Sequence, residues 1–481
     1  MSNFGKSQTR MSELTSYSAN ALVKLIADHS VSPVEAMEAH LAIIDQLNPR
    51  LNAIVTIARD VIERAREAEA AVMRGAALGP LHGLPVTIKD TIETAGLRTT
   101  SGSRMRENFV PVTDAPAVAR LKKAGAIILG KTNPAEMAMD YTAENPVFGR
   151  TNHLLDGSLT PGGSSGGEAA AIVSCMSPCG LGTDLAGSIR IPAHFCGIVG
   201  LKPTVGQVPG AGQFPPSTGP YSLGASIGPM ARHVEDLRLL FDVLSGNEGS
   251  PAGVIEAERR SLAGCRVAWY TDDGVTPVTD ETRLTVKAAA SALSQAGLLV
   301  VEQRPPAIER GHELWLKLFS RASVVQLHNV YQKQEEKGGD FVRWRLAKAA
   351  EEQTPTLDEY IGWWMERDKL RAELVQWMKG APLLVAPVGA TPAFAHGIHK
   401  LTIGGQTFST FRAFSYAQTF NVFDLPSISI PAGHSAEGLP IGVQIVGRPF
   451  AERTVLAAAA IVEQALGGWQ PPTLSDNAQV S

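Results

Sequence analysis

The stretch "GGSSGG", residues 162–167, sets two serines side by side in a run of glycine, and a third serine follows in "DLAGSIRIP" as Ser188. A serine hydroxyl attacks a carbonyl only if a base takes its proton and donors hold the oxyanion that forms. Ser188 has a setting for the second requirement. The alanine and glycine just before it let backbone N–H groups converge, the arrangement that binds anions. Losing one such donor costs about 100- to 1000-fold in rate. Ser164 sits in the glycine run, where an unusual backbone geometry is tolerated. The base is open on spacing alone. His153 and His194 are the histidines nearest in sequence, and neither has a recognisable setting. Lys89 ends the apolar run "LPVTIKD", where desolvation would lower its pKa and supply a neutral amine. A lysine at a strand end is otherwise most often a solvated surface group.

Two motif matches fail on context. Residues 125–132, "GAIILGKT", fit the phosphate-loop pattern letter for letter. That loop needs flexible middle residues with inward N–H groups, and Ala-Ile-Ile-Leu reads instead as a buried strand. "GGSSG" fits G-x-S-x-G, but a nucleophile elbow needs an apolar strand running into the serine. The preceding "HLLDGSLTP" is polar and turn-rich, although "GGEAAAIVS" after it is a credible helix.

The elements that must position these side chains follow from periodicity. In "SPVEAMEAHLAIIDQLN", Ser32 as N-cap, Pro33 at the first helical position and Glu35 three residues on form a capping box. Val34, Met37, Leu41 and Ile44 follow at helical spacing and are expected to face the core. "DVIERAREAEAAVMRG" is a second helix, ended by Gly75. From Gly79 the texture changes. "LPVTIKD" and "GAIILGKTN" are short β-branched runs flanking the helix "DAPAVARLKKAG", which predicts a parallel β-α-β unit. "SISIPAG" and "GLPIGVQIVG" read as further strands and "RTVLAAAAIVEQAL" as a closing helix. These divide one chain-length domain into N-terminal helices (1–78), a core with the candidate catalytic residues (79–245), a variable pocket-covering region (246–400) and closing strands and helix (401–475). "LFDVLSGNEGSPAG" (240–253) is the expected connector into the variable region. Trp315, Phe319, Phe341, Trp344, Tyr360, Trp363, Trp364 and Trp377 cluster there. They read as core faces of helices one by one, or together as the wall of a substrate pocket.

The 481 residues are 44% hydrophobic and 19% charged, the composition of a globular chain with a large core. With a net charge of −4 and no basic block, neither nucleic acid nor an anionic membrane is an expected partner. The first 20 residues carry no apolar signal segment, and no run of about 18 apolar residues occurs. Four cysteines are too few for a disulfide framework, and "CMSPC" without a second pair makes no zinc site. Buried free thiols in a cytoplasmic protein are expected.

Taken together, these residues resemble the amidase signature family. Lys89, Ser164 and Ser188 match its Lys–cis-Ser–Ser triad in type and spacing. "LHGLPVTIKD", "GAIILGKTN", "ENPVFGRTN", "GTDLAGSIRIPAHFCGIVGLKP", "IGPMAR", "DLPSISIPAG" and "GLPIGVQIVGRP" fit family segments in order over most of the chain. The separations within the triad, and Glu168 after the double glycine, look most like the fatty acid amide hydrolase branch. The resemblance implies a single α/β/α domain with a mixed sheet covered by helices on both faces. It implies a cis peptide between Gly163 and Ser164, and an oxyanion hole from the N–H groups around Leu185, Ala186, Gly187 and Ser188. Ala138 and Met139 would line the acyl side, and Asp184 and Arg190 would support the nucleophile loop. No metal or cofactor is implied, and homodimers are common among such enzymes. Members cleave amides, ureas and carbamates, and the triad does not choose among them. The aromatic cluster points to bulky or aryl amides or urethanes. The alternatives are a small aliphatic amidase, or the A subunit of a tRNA-dependent amidotransferase, which usually carries serine where this chain has Glu168.

Overall fold

Ser32 caps the helix Pro33–Leu51 as its sequence dictates. The Glu35 N–H donates to the Ser32 hydroxyl and the Ser32 N–H to the Glu35 carboxylate, both at 3.0 Å. In this computed structural model, which describes residues 13–246, 258 and 262–471, Met37 and Ile44 are buried. Val34 and Leu41 are half-buried against the same cluster. The second helix, Val61–Met73, ends just before Gly75. Between the two lies a strand, Ile54–Ile57, that a purely helical reading of 1–78 overlooks. Its Ile-Val-Thr-Ile sequence is β-branched throughout, and it pairs antiparallel with Ile127–Thr132.

Eleven strands form one mixed sheet. In chain order they are β1 (Ile54–Ile57), β2 (Pro85–Lys89), β3 (Ile127–Thr132), β4 (Cys179–Asp184), β5 (Val199–Lys202), β6 (Ser226–Ala231), β7 (Arg266–Trp269), β8 (Leu299–Glu302), β9 (Leu383–Pro387), β10 (Ser427–His434) and β11 (Pro440–Gly447). Their order across the sheet is β1-β3-β2-β4-β6-β5-β10-β11-β9-β7-β8. The predicted unit is present: β2 and β3 are parallel, with the helix Pro116–Lys123 between them. Side chains alternate across the sheet as the two-residue period requires. Leu383 and Val385 of β9 pack with the helices Val234–Ser245, Asp280–Gln295 and Glu452–Leu466 on one face. Leu384 and Ala386 pack on the other face with the helix Ser415–Val422. Helices therefore cover both faces, the α/β/α layering expected.

The region 246–400 does more than cover a pocket, because it contributes β7, β8 and β9 to the sheet. The helix Val234–Ser245 runs through the start of the expected connector, and residues 247–253 lie outside the described residues. Among the described residues no helix is long and apolar enough to cross a membrane. The four cysteines are free thiols, Cys179 and Cys196 buried and Cys175 and Cys265 half-buried.

The site depends on three parallel neighbours. β3, β2 and β4 run side by side in one direction, so their C-terminal ends open on the same edge. That edge is where side chains and connecting loops in such sheets converge on a ligand. β2 ends at Lys89, β4 at Asp184 just before the Ser188 loop, and β3 at Thr132 just before the loop carrying Ala138 and Met139.

Candidate active site

Lys89 is fully buried, which decides against the surface-lysine alternative. Its Nζ lies 2.7 Å from Ser164 Oγ and 2.8 Å from Thr183 Oγ1. Burial pushes its pKa down to about 7, against the opposing pull of the Asp184 and Glu168 carboxylates. Near neutral pH a large share of the amine is therefore unprotonated, and its lone pair can accept the Ser164 O–H. Glu168 is also buried and accepts the hydroxyls of Thr87 and Thr132. Burial raises Glu168 to about 7, opposed by those hydroxyls and by Lys131 and Lys89. β4 passes so close that a Cβ on Gly180 would fall 1.9 Å from Glu168 Oε1.

Both histidines are used elsewhere. His153 Nε2 lies 3.0 Å from the Phe195 carbonyl. His194 accepts the Gly442 N–H at Nδ1 (2.6 Å) and donates from Nε2 to the Thr391 carbonyl (3.0 Å). Burial drives His194 down to about 4, so it stays neutral. The false phosphate loop is the buried strand β3, with Lys131 donating to the Ile92 carbonyl and to Thr94 and Thr99.

The Gly163–Ser164 peptide is cis. A Cβ at Gly163 would meet the Thr142 carbonyl oxygen at 2.4 Å, so only glycine fits there. The Ser165 N–H donates to the Ser188 carbonyl at 3.2 Å, which ties the two serine segments together. Ser164 and Ser188 line the same cavity. The Lys89–Ser164 contact is formed. The Ser164–Ser188 relay is not a hydrogen bond in this geometry among the described residues, and catalytic contacts commonly tighten only around bound substrate.

Asp184 organises the loop before Ser188. It accepts the Gly187 N–H (2.9 Å), the Ile189 N–H (3.1 Å) and the Arg190 guanidinium at Nη2 (2.9 Å) and Nε (3.1 Å). Burial works to raise its pKa, but the charge and hydrogen bonds of Arg190, helped by Lys202 and Asn421, hold it well below the usual carboxylate range. Arg190 also donates to Asn421 (2.6 Å) and Gln444 (2.9 Å). Asp184 and Arg190 are thus a buried supporting network, as expected. Gly187 departs from expectation. Its N–H points at Asp184 and holds the loop, which leaves Leu185, Ala186 and Ser188 as the cavity-lining residues with oxyanion-donor potential. The loop is also held from outside: Trp315 Nε1 donates to the Leu185 carbonyl (2.9 Å) and Tyr141 Oη to the Ala186 carbonyl (2.8 Å). Replacing Arg190 with leucine would strand Asp184 as a buried unpaired charge. A loss of about 3–5 kcal/mol in urea unfolding is expected.

The cavity encloses about 330 Å³. Of the eight clustered aromatics, Trp315, Phe341 and Trp344 line it. Phe319 is core, and Tyr360, Trp363, Trp364 and Trp377 pack against that core. The pocket reading therefore holds for three of the eight. Ala138 and Met139 line the cavity as expected, beside Met137 and Asp140. Thr183, Tyr141 and Phe411 also line it, and none carries a signal that sequence reasoning picks out. Phe411 arrives from more than 200 residues after Ser188, and its ring stacks on Tyr141 at 4.7 Å. Because the base must be unprotonated, kcat/KM is expected to rise with pH through about 7 and then level off. A rate profile flat across neutral pH would exclude Lys89 as the titrating group.

Comparison with known proteins bears on this geometry. A family model described as Amidase matches residues 35–456. The A subunit of glutamyl-tRNA(Gln) amidotransferase from Carboxydothermus hydrogenoformans is 31% identical over 486 residues, covering 94% of this chain and 98% of that protein. A solved structure from a vestigial complex, tied to the evolutionary origins of an s-triazine catabolic enzyme, matches with a TM-score of 0.86. It is 26% identical and covers 95% of this chain and 100% of that one. A bacterial aryl acylamidase of the amidase signature family matches with a TM-score of 0.82 at 25% identity, covering 96% of this chain and 97% of that one.

Proposed function

The chain belongs to the amidase family and is a hydrolase of carbon–nitrogen bonds, and from that premise we propose that it cleaves bulky or aryl amides, or the related carbamates, through an acyl-enzyme on Ser188. Neutral Lys89 takes the proton of Ser164 as Ser164 takes that of Ser188. Ser188 Oγ then bonds to the substrate carbonyl carbon, and N–H groups of Leu185, Ala186 and Ser188 hold the oxyanion, the Gly187 N–H being taken by Asp184. Ser164 returns a proton to the leaving nitrogen as the C–N bond breaks, and Lys89 makes good its loss. Water then attacks the acyl-enzyme by the same relay, releasing the acid and restoring Ser188. A carbamate offers the same carbonyl with an ester oxygen beside it, so the same steps apply.

The observation that carries the substrate class is the aromatic wall of Trp315, Phe341, Trp344 and Phe411 around Ser188. Flat rings stack well on such a wall, and small aliphatic amides would leave it unfilled. Glu168, with the spacing of the triad, supports kinship in motif with the fatty acid amide hydrolase branch. Purified protein alone, assayed on p-nitroanilides, small aliphatic amides and N-aryl carbamates, tests the reading. Faster turnover of the aryl compounds is expected, and a preference for the small aliphatic amides would refute it.

A second reading, as the hydrolytic component of an amidotransferase complex, is favoured by the 31% identity over nearly the full length. It predicts co-purifying partner proteins and glutaminase activity that those partners stimulate. Aryl amide hydrolysis by the isolated chain, with no gain on adding a cell extract, would exclude it.

A further inference from the structure

Asp140 is a titratable group on the cavity wall that the hydrolytic steps do not use. Its carboxylate accepts the Tyr141 N–H at 2.7 Å and the Thr142 hydroxyl at 3.1 Å. Those two donors occupy about half of its roughly four acceptor sites. Among the described residues, no lysine or arginine pairs with it. The other charges on the wall are matched: Asp184 by Arg190 (2.9 Å), Glu352 by Arg321 (2.9 Å) and Arg345 (3.2 Å), and Lys348 by Glu351 (3.0 Å). Burial pushes the Asp140 pKa up to about 6, with Glu144 adding to the rise and the Tyr141 N–H, Thr142 and His399 opposing it. A carboxylate left in this state is stabilised by any cation brought to it.

The surroundings narrow the ligand further. The Tyr141 ring, next in the chain, stacks on Phe411, and Phe411 is flanked by Trp315 (5.9 Å) and Phe341 (6.1 Å) between ring centroids. Aromatic faces attract a cation through their quadrupoles, most strongly where water is excluded. Asp140 also packs against the residue before the relay serine, since a Cβ on Gly163 would fall 2.7 Å from its carbonyl oxygen. Asp140 lines the same cavity as Ser164 and Ser188, so a cation held at its carboxylate shares that cavity with the reacting carbonyl.

We infer that Asp140 and the rings beside it recognise a cationic amine carried by the substrate close to the bond that is cleaved, so that amine-bearing amides are the favoured subset. This rests on the acyl-enzyme reading of the site. The test separates the two by measuring binding without turnover. Ser188→Ala protein is titrated calorimetrically at neutral pH with the anilides of glycine, β-alanine and 4-aminobutyric acid, and with their uncharged isosteres propionanilide, butyranilide and valeranilide. N-(2-aminoethyl)benzamide against N-propylbenzamide covers an amine on the leaving side. At least one ammonium compound is expected to bind about tenfold more tightly than its isostere. Asp140→Asn, which keeps the side chain's shape and an acceptor oxygen, should erase that preference, and Phe411→Leu should reduce it. If no ammonium compound outbinds its isostere, or if the preference survives in Asp140→Asn, the inference is overturned. Parallel assays with the Ser188 protein judge the other reading. Preferential binding with no turnover of any amide counts against the acyl-enzyme, and turnover with no preference counts against Asp140.

Discussion

A Ser188→Ala protein is expected to fold normally, to lose labelling by a fluorophosphonate probe, and to hydrolyse aryl amides about 10⁴- to 10⁶-fold more slowly. The folding half of this expectation comes from the loop. The contacts that hold it run through the Asp184 carboxylate, the Gly187 and Ile189 N–H groups and the carbonyls of Leu185 and Ala186, and none uses the Ser188 hydroxyl. Removing one oxygen therefore changes the chemistry and leaves the scaffold. Labelling that persists in the alanine protein would move the nucleophile to Ser164 or Ser165.

Lys89→Met should be nearly as damaging, with a loss of about 10²- to 10⁴-fold in kcat. Methionine keeps most of the buried stem and removes the amine. The rate should fall while the midpoint of thermal unfolding stays close to that of the parent. Neither His153 nor His194 can substitute, because both are committed to backbone groups away from the cavity. A near-normal rate in Lys89→Met would end the relay mechanism. The pH profile gives an independent check, since the inflection near 7 should vanish from whatever activity remains.

Much of this site was legible in the sequence because its parts are local. Lys89 closes a short β-branched run, Ser164 lies in a glycine stretch, and Ser188 follows a turn that opens a helix. Each has a signature within ten residues of itself. What the sequence could not display is what comes from afar. Phe411 reaches Tyr141 across 270 residues, and nothing in "STFRAF" marks it as a pocket ring. Asp140 lies in an irregular loop with no periodicity to betray which way it faces. The strands β7, β8 and β9 hide in a region that reads as variable, and the pairing of Leu383 with Val267 spans more than 100 residues. The occupied N–H of Gly187 was hidden for another reason. A backbone donor carries no identity in the sequence, and only the position of Asp184 decides where it points.

Trp315 both walls the cavity and anchors the carbonyl of Leu185, whereas Trp344 walls it while remaining 58% exposed. For anyone reshaping this enzyme toward larger substrates, the two indoles are not equivalent handles. Trimming Trp344 widens the entrance and leaves the turn before Ser188 alone, but trimming Trp315 unties that turn along with the wall. Broadened scope should therefore evolve readily at the outer ring and come with slower chemistry at the inner one.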